Sequence, residues 1–344
     1  MSPSTLLDQL PEANLAVIDL QKLESGSAYE QASLLRASIE NGFFYLKLVD
    51  TPERHVLEYA EKVFELSQEI FTYDPVVKDL FDVDRLSQYK TNGYKPKGRN
   101  IVSKDGSRDG FESWVLPRNG LERLGDDLFP HPPAVADGMN LLRGLIGELG
   151  SAAQTIFRSL SDSLNLQPGQ RFEDFHDPSR PAPDILRLLK YHADERSSNI
   201  PQTPHTDLGS LTFVFTSTPG LQVLPPHVPE WQYVQPLAGH AIVNIGDCLT
   251  KMTNGLLKSV LHRVGPLPGH PMPERYSFAY LMRPEDSTLL QVLDSPLIPS
   301  PQKDEVPTTI TSGEWIQSKF KALRGTYDAK DGDRILTGGR GVMV

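Results

Sequence analysis

From Asp184 onward the chain is written in short apolar runs cut by proline or glycine every dozen residues or so. Asp184–Tyr191, Leu211–Thr216, Leu221–Leu224, Tyr233–Leu237, Ala241–Ile245 and Tyr276–Met282 are the candidate strands. Short runs bounded by turn residues at this spacing are the pattern of an antiparallel barrel or jelly roll. The amino-terminal half reads differently. Leu15–Leu20 is an early strand, Tyr29–Ile39 a helix stopped by Asn41-Gly42, and Phe43–Leu48 a strand. Pro52 opens a second helix with a stripe of Val56, Leu57, Ala60, Val63, Phe64 and Ile70, ending near Tyr73. Residues 85–119 are polar and glycine-containing, and read mostly as loop. Leu142, Leu145, Ile146, Leu149, Ala153, Ile156 and Leu160 recur at three- and four-residue steps, predicting one long supporting helix over Val135–Leu164. Trp315, Ile316 and Phe320 mark a final helix over Ser312–Leu323, and Gly338–Gly341 reads as a terminal tail.

No linker or repeat divides the 344 residues, so the expectation is one fused unit. It comprises a mixed α/β region (1–134), the long helix and its connection (135–180), a jelly-roll core (181–290) and a carboxy-terminal helix and tail (291–344). With 38% hydrophobic residues the chain can bury a sizeable core. Its 44 acidic against 34 basic residues, a formal charge of −10, argue against nucleic acid as a partner. A lone Cys248 excludes an internal disulfide, and no Asn-x-Ser/Thr sequon is present. No leader pattern and no run of eighteen apolar residues is visible, so the expectation is a cytoplasmic protein without a membrane partner. Nothing declares an oligomeric state.

Within the strand-like region, His205 and Asp207 are two apart, which in extended backbone puts both side chains on one face. His262 comes from a separate apolar run. Two imidazoles and one carboxylate form the facial set of non-haem Fe(II) sites, which leaves the opposite coordination positions open. A structural zinc would instead be closed by four ligands, often thiolates. Arg275 and Ser277 form a second i, i+2 pair, a guanidinium beside a hydroxyl, and that is a receptor for a carboxylate.

Six ordered segments carry a resemblance: Pro204-His205-Thr206-Asp207-Leu208-Gly209-Ser210, Gly220-Leu221-Gln222-Val223, Val243-Asn244-Ile245-Gly246-Asp247, Thr253-Asn254-Gly255, Lys258 to Val264, and Arg275-Tyr276-Ser277. Together they resemble the Fe(II)/2-oxoglutarate-dependent dioxygenases, in the branch shaped like isopenicillin N synthase. Weaker similarity reaches back through Val17-Ile18-Asp19, Asn41 to Tyr45 and Asn92-Gly93-Tyr94. The resemblance implies a double-stranded β-helix, mainly β with a helical amino-terminal region. It also implies Fe(II) held by His205, Asp207 and His262, with 2-oxoglutarate and O2 as cosubstrates. Arg275 and Ser277 would hold the far carboxylate of 2-oxoglutarate, and Tyr191 occupies the place of a tyrosine that bonds the same cosubstrate. Tyr89, Tyr94, Lys95, Arg99 and Asn100, in a region that covers the mouth of the site in that family, are candidate substrate contacts.

The implied activity is oxidation of a C–H bond of a small organic molecule by hydroxylation, desaturation, ring formation or ring expansion. The setting resembles fungal natural-product tailoring. Because Asp207 is retained, halogenation is disfavoured. Leu189 stands where many plant relatives carry asparagine, a departure beside the cosubstrate's iron-side end. Two alternatives remain open at this point: an oxidase in which Arg275 and Ser277 hold the substrate's own carboxylate, and a non-catalytic metal-binding or sensing barrel. Asn244, Asp247 and Asn254-Gly255 are accounted for by turn chemistry. The remaining histidines have no partner at ligand spacing, and Ser259 lacks a nucleophile elbow.

Overall fold

The computed structural model describes residues 11–51, 54–87, 90–100, 108–124, 128–195, 200–301 and 310–323. Tyr89 and the Gly338–Gly341 tail lie outside them. Twelve strands among these residues form two sheets: β1 (Val17–Asp19), β2 (Phe43–Lys47), β3 (Gly93–Lys95), β4 (Phe111–Pro117), β5 (Ile185–Tyr191), β6 (Gln202–His205), β7 (Leu211–Thr216), β8 (Leu221–Leu224), β9 (Gln232–Tyr233), β10 (His240–Ile245), β11 (Leu261–Val264) and β12 (Arg275–Met282). The major sheet runs β1-β2-β10-β7-β12-β5-β4-β3 and the minor sheet β6-β11-β8-β9. Only β1–β2 is parallel among these pairings; the others are antiparallel. This is the jelly-roll fold, mainly β with helices.

The period of two in the central strands decides what each face carries. Leu186 and Leu188 of β5, Phe213 and Phe215 of β7, Val243 and Ile245 of β10, and Phe278 and Tyr280 of β12 join one large apolar core. That core includes the helix Met139–Ser163 through Leu142, Leu145, Ile146, Leu149, Ile156, Phe157 and Leu160, and the helix Val56–Phe71 through Val63, Leu66 and Ile70. Phe278 stacks on Phe215 at 4.7 Å and meets Phe64 at 5.0 Å, so it ties the sheet to that second helix. The alternate residues face the other way. Arg187, Leu189 and Tyr191 of β5 stand level with Ala279, Ser277 and Arg275 of β12, and with Val115, Ser113 and Phe111 of β4. Two smaller apolar clusters lie on this opposite side. Phe43, Tyr45, Ile242, Leu221, Val223 and Val260 form one, and Phe111, Leu189, Tyr191, Val264 and Met272 the other. Both join major-sheet to minor-sheet residues, so this face is the inside of the jelly roll.

Several boundaries depart from the sequence expectation. The stretch 85–119 is not mostly loop, since it contains β3 and β4; Phe111, Trp114 and Val115 find a full-length antiparallel partner in β5, which overrides a polar local composition. The long helix is divided: Pro133–Asp137 ends at Gly138, whose φ of −82° and ψ of 5° leave the helical region before Met139–Ser163 resumes. Strand β1 is shorter than expected because Asp19 caps a helix over Leu20–Glu24, and β9 stops at Tyr233. The second helix begins at Val56, and Pro52 lies outside the described residues. Strands β7 and β8 and the helix Ser312–Leu323 fall where the pattern put them. Among the described residues, no helix is long and apolar enough to cross a membrane.

Because Phe278 is fully buried and packed between Phe215 and Phe64, Phe278→Ala should cost about 3–5 kcal/mol of stability. Chemical denaturation followed by far-UV circular dichroism would check this, and an unchanged midpoint would contradict the packing described.

Candidate metal and cosubstrate site

His205 ends β6 and His262 lies on β11, and the two are direct cross-strand partners. Their ring centroids are 4.3 Å apart. Asp207 follows two residues after His205, where the chain leaves the strand, and its Oδ1 lies 4.0 Å from His205 Nε2 and 3.8 Å from His262 Nε2. One ligand atom from each of the three lies within 4.8 Å of the others. Each imidazole is oriented by its own backbone: Nδ1 of His205 is 2.9 Å from the Thr203 carbonyl and Nδ1 of His262 is 3.1 Å from that of Val260. A carbonyl can only accept, so Nδ1 carries the proton in both rings and Nε2 presents a lone pair. Three electron-rich atoms therefore converge without a proton between them. Such a cluster repels itself unless a cation joins it, and the donor set fits Fe(II) with open positions.

The electrostatics agree with that fit. Burial, with His262 adding to it, pushes the His205 imidazole down to about 4, which favours the neutral ligand form. Burial alone would raise the Asp207 carboxyl. The two imidazoles in their protonated form, with hydrogen bonds from Asn244 and Thr212, outweigh it and hold the group below the usual carboxylate range. Asn244 Nδ2 donates to Asp207 Oδ2 at 2.8 Å, leaving Oδ1 to face the imidazoles. Sequence assigns this residue to a turn; it is the last inward-facing position of β10, and an asparagine inside an otherwise apolar run is the signal the sequence offers.

The loop that carries Asp207 is built on close backbone approach. A Cβ on Gly246 would stand 2.2 Å from the Gly209 carbonyl oxygen, and one on Gly209 would stand 2.1 Å from that of Met282. Only glycine fits at either place. The Asp247 N–H donates to the Asp207 carbonyl at 2.8 Å, and the Asp247 carboxylate is paired with fully buried Lys319 of the helix Ser312–Leu323, also at 2.8 Å. Trp315 of the same helix donates its indole N–H to the Leu208 carbonyl at 3.3 Å. Asp247 thus has a bracing part beyond the turn role read from sequence.

Arg275 opens β12 and is fully buried. Its Nε donates to the Thr218 carbonyl at 3.1 Å and Nη1 to Ser277 Oγ at 3.1 Å, while its guanidinium carbon stands 5.1 Å from the centre of the Tyr191 ring. No carboxylate among the described residues pairs with it. A buried guanidinium without an anion is costly, and a dicarboxylate cosubstrate is the kind of ligand that supplies one. Tyr191 donates its hydroxyl to Gln202 Oε1, and Gln202 Nε2 reaches His205 Nε2 at 3.4 Å. Gln202 therefore links the anchor to the histidines, a residue that no spacing rule singled out. Leu189 belongs to the apolar cluster beside Tyr191.

The candidate substrate contacts are more dispersed. Tyr94 donates its hydroxyl to Glu112 at 2.7 Å, and buried Lys78 and half-buried His192 reach the same carboxylate at 3.0 Å each. Lys95 is ion-paired with Asp109 at 2.8 Å and lies 3.9 Å above the Phe111 ring. Burial, opposed by Asp109, lowers its ammonium to about 8. Arg99 pairs with Asp82 and Asp84, and the Asn100 N–H bonds Asp109 at 3.2 Å.

A model of the 2OG-Fe(II) oxygenase superfamily matches residues 183–284. Beyond that span, the chain is similar to the 2-oxoglutarate-dependent dioxygenase gloE of Glarea lozoyensis, 30% identical over 97% of this chain and 95% of that protein. The chain belongs to the 2OG-Fe(II) oxygenase superfamily. It is also 31% identical to the 2-oxoglutarate-dependent dioxygenase frbH of Dothideomycetidae sp., over 95% of this chain and 96% of that one. Among solved structures, it shares the fold of a full-length Neurospora crassa protein in complex with alpha-KG and thymine, with a TM-score of 0.74 at 23% identity over 91% of this chain and 97% of that one. As a 2OG-Fe(II) oxygenase, the protein is an oxidoreductase dependent on iron and 2-oxoglutarate.

The hydrogen bond from Asn244 keeps one oxygen of Asp207 pointed at the imidazoles. Asn244→Ala should therefore weaken Fe(II) binding by roughly 10–100-fold while leaving the fold intact. Competitive metal titration would read this, and parental affinity in the variant would contradict the orienting role.

Proposed function

We propose that His205, Asp207 and His262 hold Fe(II), that Arg275 and Ser277 bind the far carboxylate of 2-oxoglutarate, and that the enzyme oxidises a C–H bond of a small organic molecule. The observation that carries this reading is the pairing of two incomplete sites inside one jelly roll. Three lone-pair donors converge without a cation, and a buried guanidinium faces no carboxylate among the described residues. Each is satisfied by one of the two cofactors that the superfamily uses.

The ferrous ion, when bound with 2-oxoglutarate and O2, supplies an oxidant that takes a hydrogen atom from carbon as 2-oxoglutarate is converted to succinate and carbon dioxide. The chain contributes position. Asn244 and Thr212 fix the Asp207 carboxylate, and the Thr203 and Val260 carbonyls fix the imidazole tautomers. Arg275 sets the depth of the cosubstrate, and Tyr191 with Gln202 forms the polar wall between that anchor and His205. The apolar cluster of Phe111, Leu189, Val264 and Met272 shields the same end from water. Which carbon reacts then follows from which one the pocket holds nearest the metal.

Relatives that cover nearly the whole chain, gloE and frbH among them, are fungal 2-oxoglutarate-dependent dioxygenases, which supports natural-product tailoring as the setting. Hydroxylation, desaturation, ring formation and ring expansion all remain outcomes of the same abstraction.

Replacing Arg275 by leucine should raise the 2-oxoglutarate concentration needed for half-maximal succinate formation by at least tenfold, because a charge-assisted anchor contributes about 1.5–3 kcal/mol. Iron affinity should change little. Oxygen consumption without succinate, or an unchanged 2-oxoglutarate requirement, would favour the oxidase alternative in which Arg275 holds the substrate.

A further inference from the structure

Arg187 is a second cation on the inner face of the major sheet, and the roles assigned above do not use it. It stands on β5, two residues from Leu189 and four from Tyr191, level with Ala279 on one side and Val115 on the other. Strand periodicity therefore directs it to the same interior as Arg275, in the row next to Ser277. Its side chain still touches solvent, yet it lies deep enough that burial lowers the guanidinium below its ordinary value. Its Nε is buried and meets no acceptor among the described residues. The hydrogen bond it does make there is a long one, Nη2 to Ser113 Oγ at 3.4 Å. Its guanidinium carbon lies 5.4 Å from the centre of the Phe111 ring, so an aromatic wall borders the donor.

Asp109 and Asp207 are near enough to act on Arg187 electrostatically, but neither forms an ion pair with it. Each is already engaged: Asp109 by Lys95 at 2.8 Å and by the backbone of Gly98 and Asn100, Asp207 by Asn244 and, in the loaded enzyme, by the metal proposed above. The charges of the loaded site then decide the matter. Two positive charges on the ferrous ion and one on Arg275 are matched by the carboxylate of Asp207 and the two of 2-oxoglutarate. Lys95 and Asp109 cancel, and Arg283, which also feels Asp207 and Arg187, is set foremost against buried Asp184. The charge of Arg187 is left over, on a planar donor with unused N–H groups beside an aromatic ring.

We propose that Arg187 is a specificity-determining substrate anchor, and that the substrate carries a carboxylate which its guanidinium binds beside Phe111. This rests on the cofactor assignments of the preceding subsection. It adds the class of substrate, an organic acid whose ionised group is fixed at Arg187 while a carbon elsewhere in the molecule is presented to the metal. A bidentate carboxylate would take both the unpartnered Nε and a terminal nitrogen. An uncharged amide of the same shape would leave the guanidinium uncompensated.

The test uses the Fe(II)-loaded enzyme, kept anaerobic and saturated with 2-oxoglutarate so that Arg275 is occupied. Phenylacetate, 4-phenylbutyrate and 2-naphthoate are titrated against their primary amides by calorimetry, in the parent protein and in the Arg187→Met and Arg187→Lys variants. At least one acid should bind about tenfold or more tightly than its amide to the parent. Arg187→Met should abolish that preference, and Arg187→Lys should keep part of it. In all three proteins 2-oxoglutarate affinity should be the same. Equal binding of every acid and its amide, binding of neither, or a preference that survives in Arg187→Met would overturn the proposal. Loss of 2-oxoglutarate affinity in Arg187→Met would overturn it too, by moving Arg187 to the cosubstrate. Failure of the parent to bind 2-oxoglutarate at all, seen before any acid is added, would instead remove the cofactor assignment on which the proposal stands.

Discussion

Repulsion among three converging lone pairs is the constraint on which the site depends. His205 and His262 are forced together as cross-strand partners in the minor sheet, and Asp207 is brought to them by the turn that leaves β6. Backbone carbonyls at Thr203 and Val260 take the Nδ1 protons, so neither ring can rotate to relieve the contact without losing a hydrogen bond. The amide of Asn244 denies the carboxylate the same freedom. A cation held there, as proposed above, would turn this repulsion into coordination. The fold would then recover on metal binding the cost of assembling the ligands, which would couple the metal to stability as well as to chemistry.

The surrounding structure keeps that geometry from relaxing. Gly246 and Gly209 allow three stretches of backbone to pack at distances that no side chain would permit. The helix Ser312–Leu323 closes the back of the loop with Lys319 on Asp247 and Trp315 on the Leu208 carbonyl. Breaking a buried pair of this kind costs about 3–5 kcal/mol, because the remaining charge is stranded. A helix far from the site in sequence is therefore part of its support. On the other side, the stack of Phe64, Phe278 and Phe215 fixes β12, the strand that delivers Arg275 and Ser277.

Much of this was legible in the sequence because it depends on short-range spacing. His205 and Asp207, or Arg275 and Ser277, are two apart, and extended backbone converts that into a shared face. The strands of the core announce themselves by turn residues at their ends. What spacing does not carry is contact between distant segments. Asn244 has an ordinary turn explanation, and only the pairing of β10 with β7 brings it to Asp207. Strand β4 looked like loop because its partner, β5, lies some seventy residues further on. Gly138 was invisible as a break because the apolar stripe continues on both sides of it. Arg187 was passed over for a related reason: in a strand, an arginine reads as a solvated position until the register shows which face it occupies.

The most direct test of the central claim is anaerobic titration of the Fe(II)-loaded protein with 2-oxoglutarate, followed through the weak visible charge-transfer band of the chelate. The band should appear in the parent protein and be lost in His262→Ala. Iron bound without any band, or a band that persists in His262→Ala, would contradict the assignment of the two cofactors to this site.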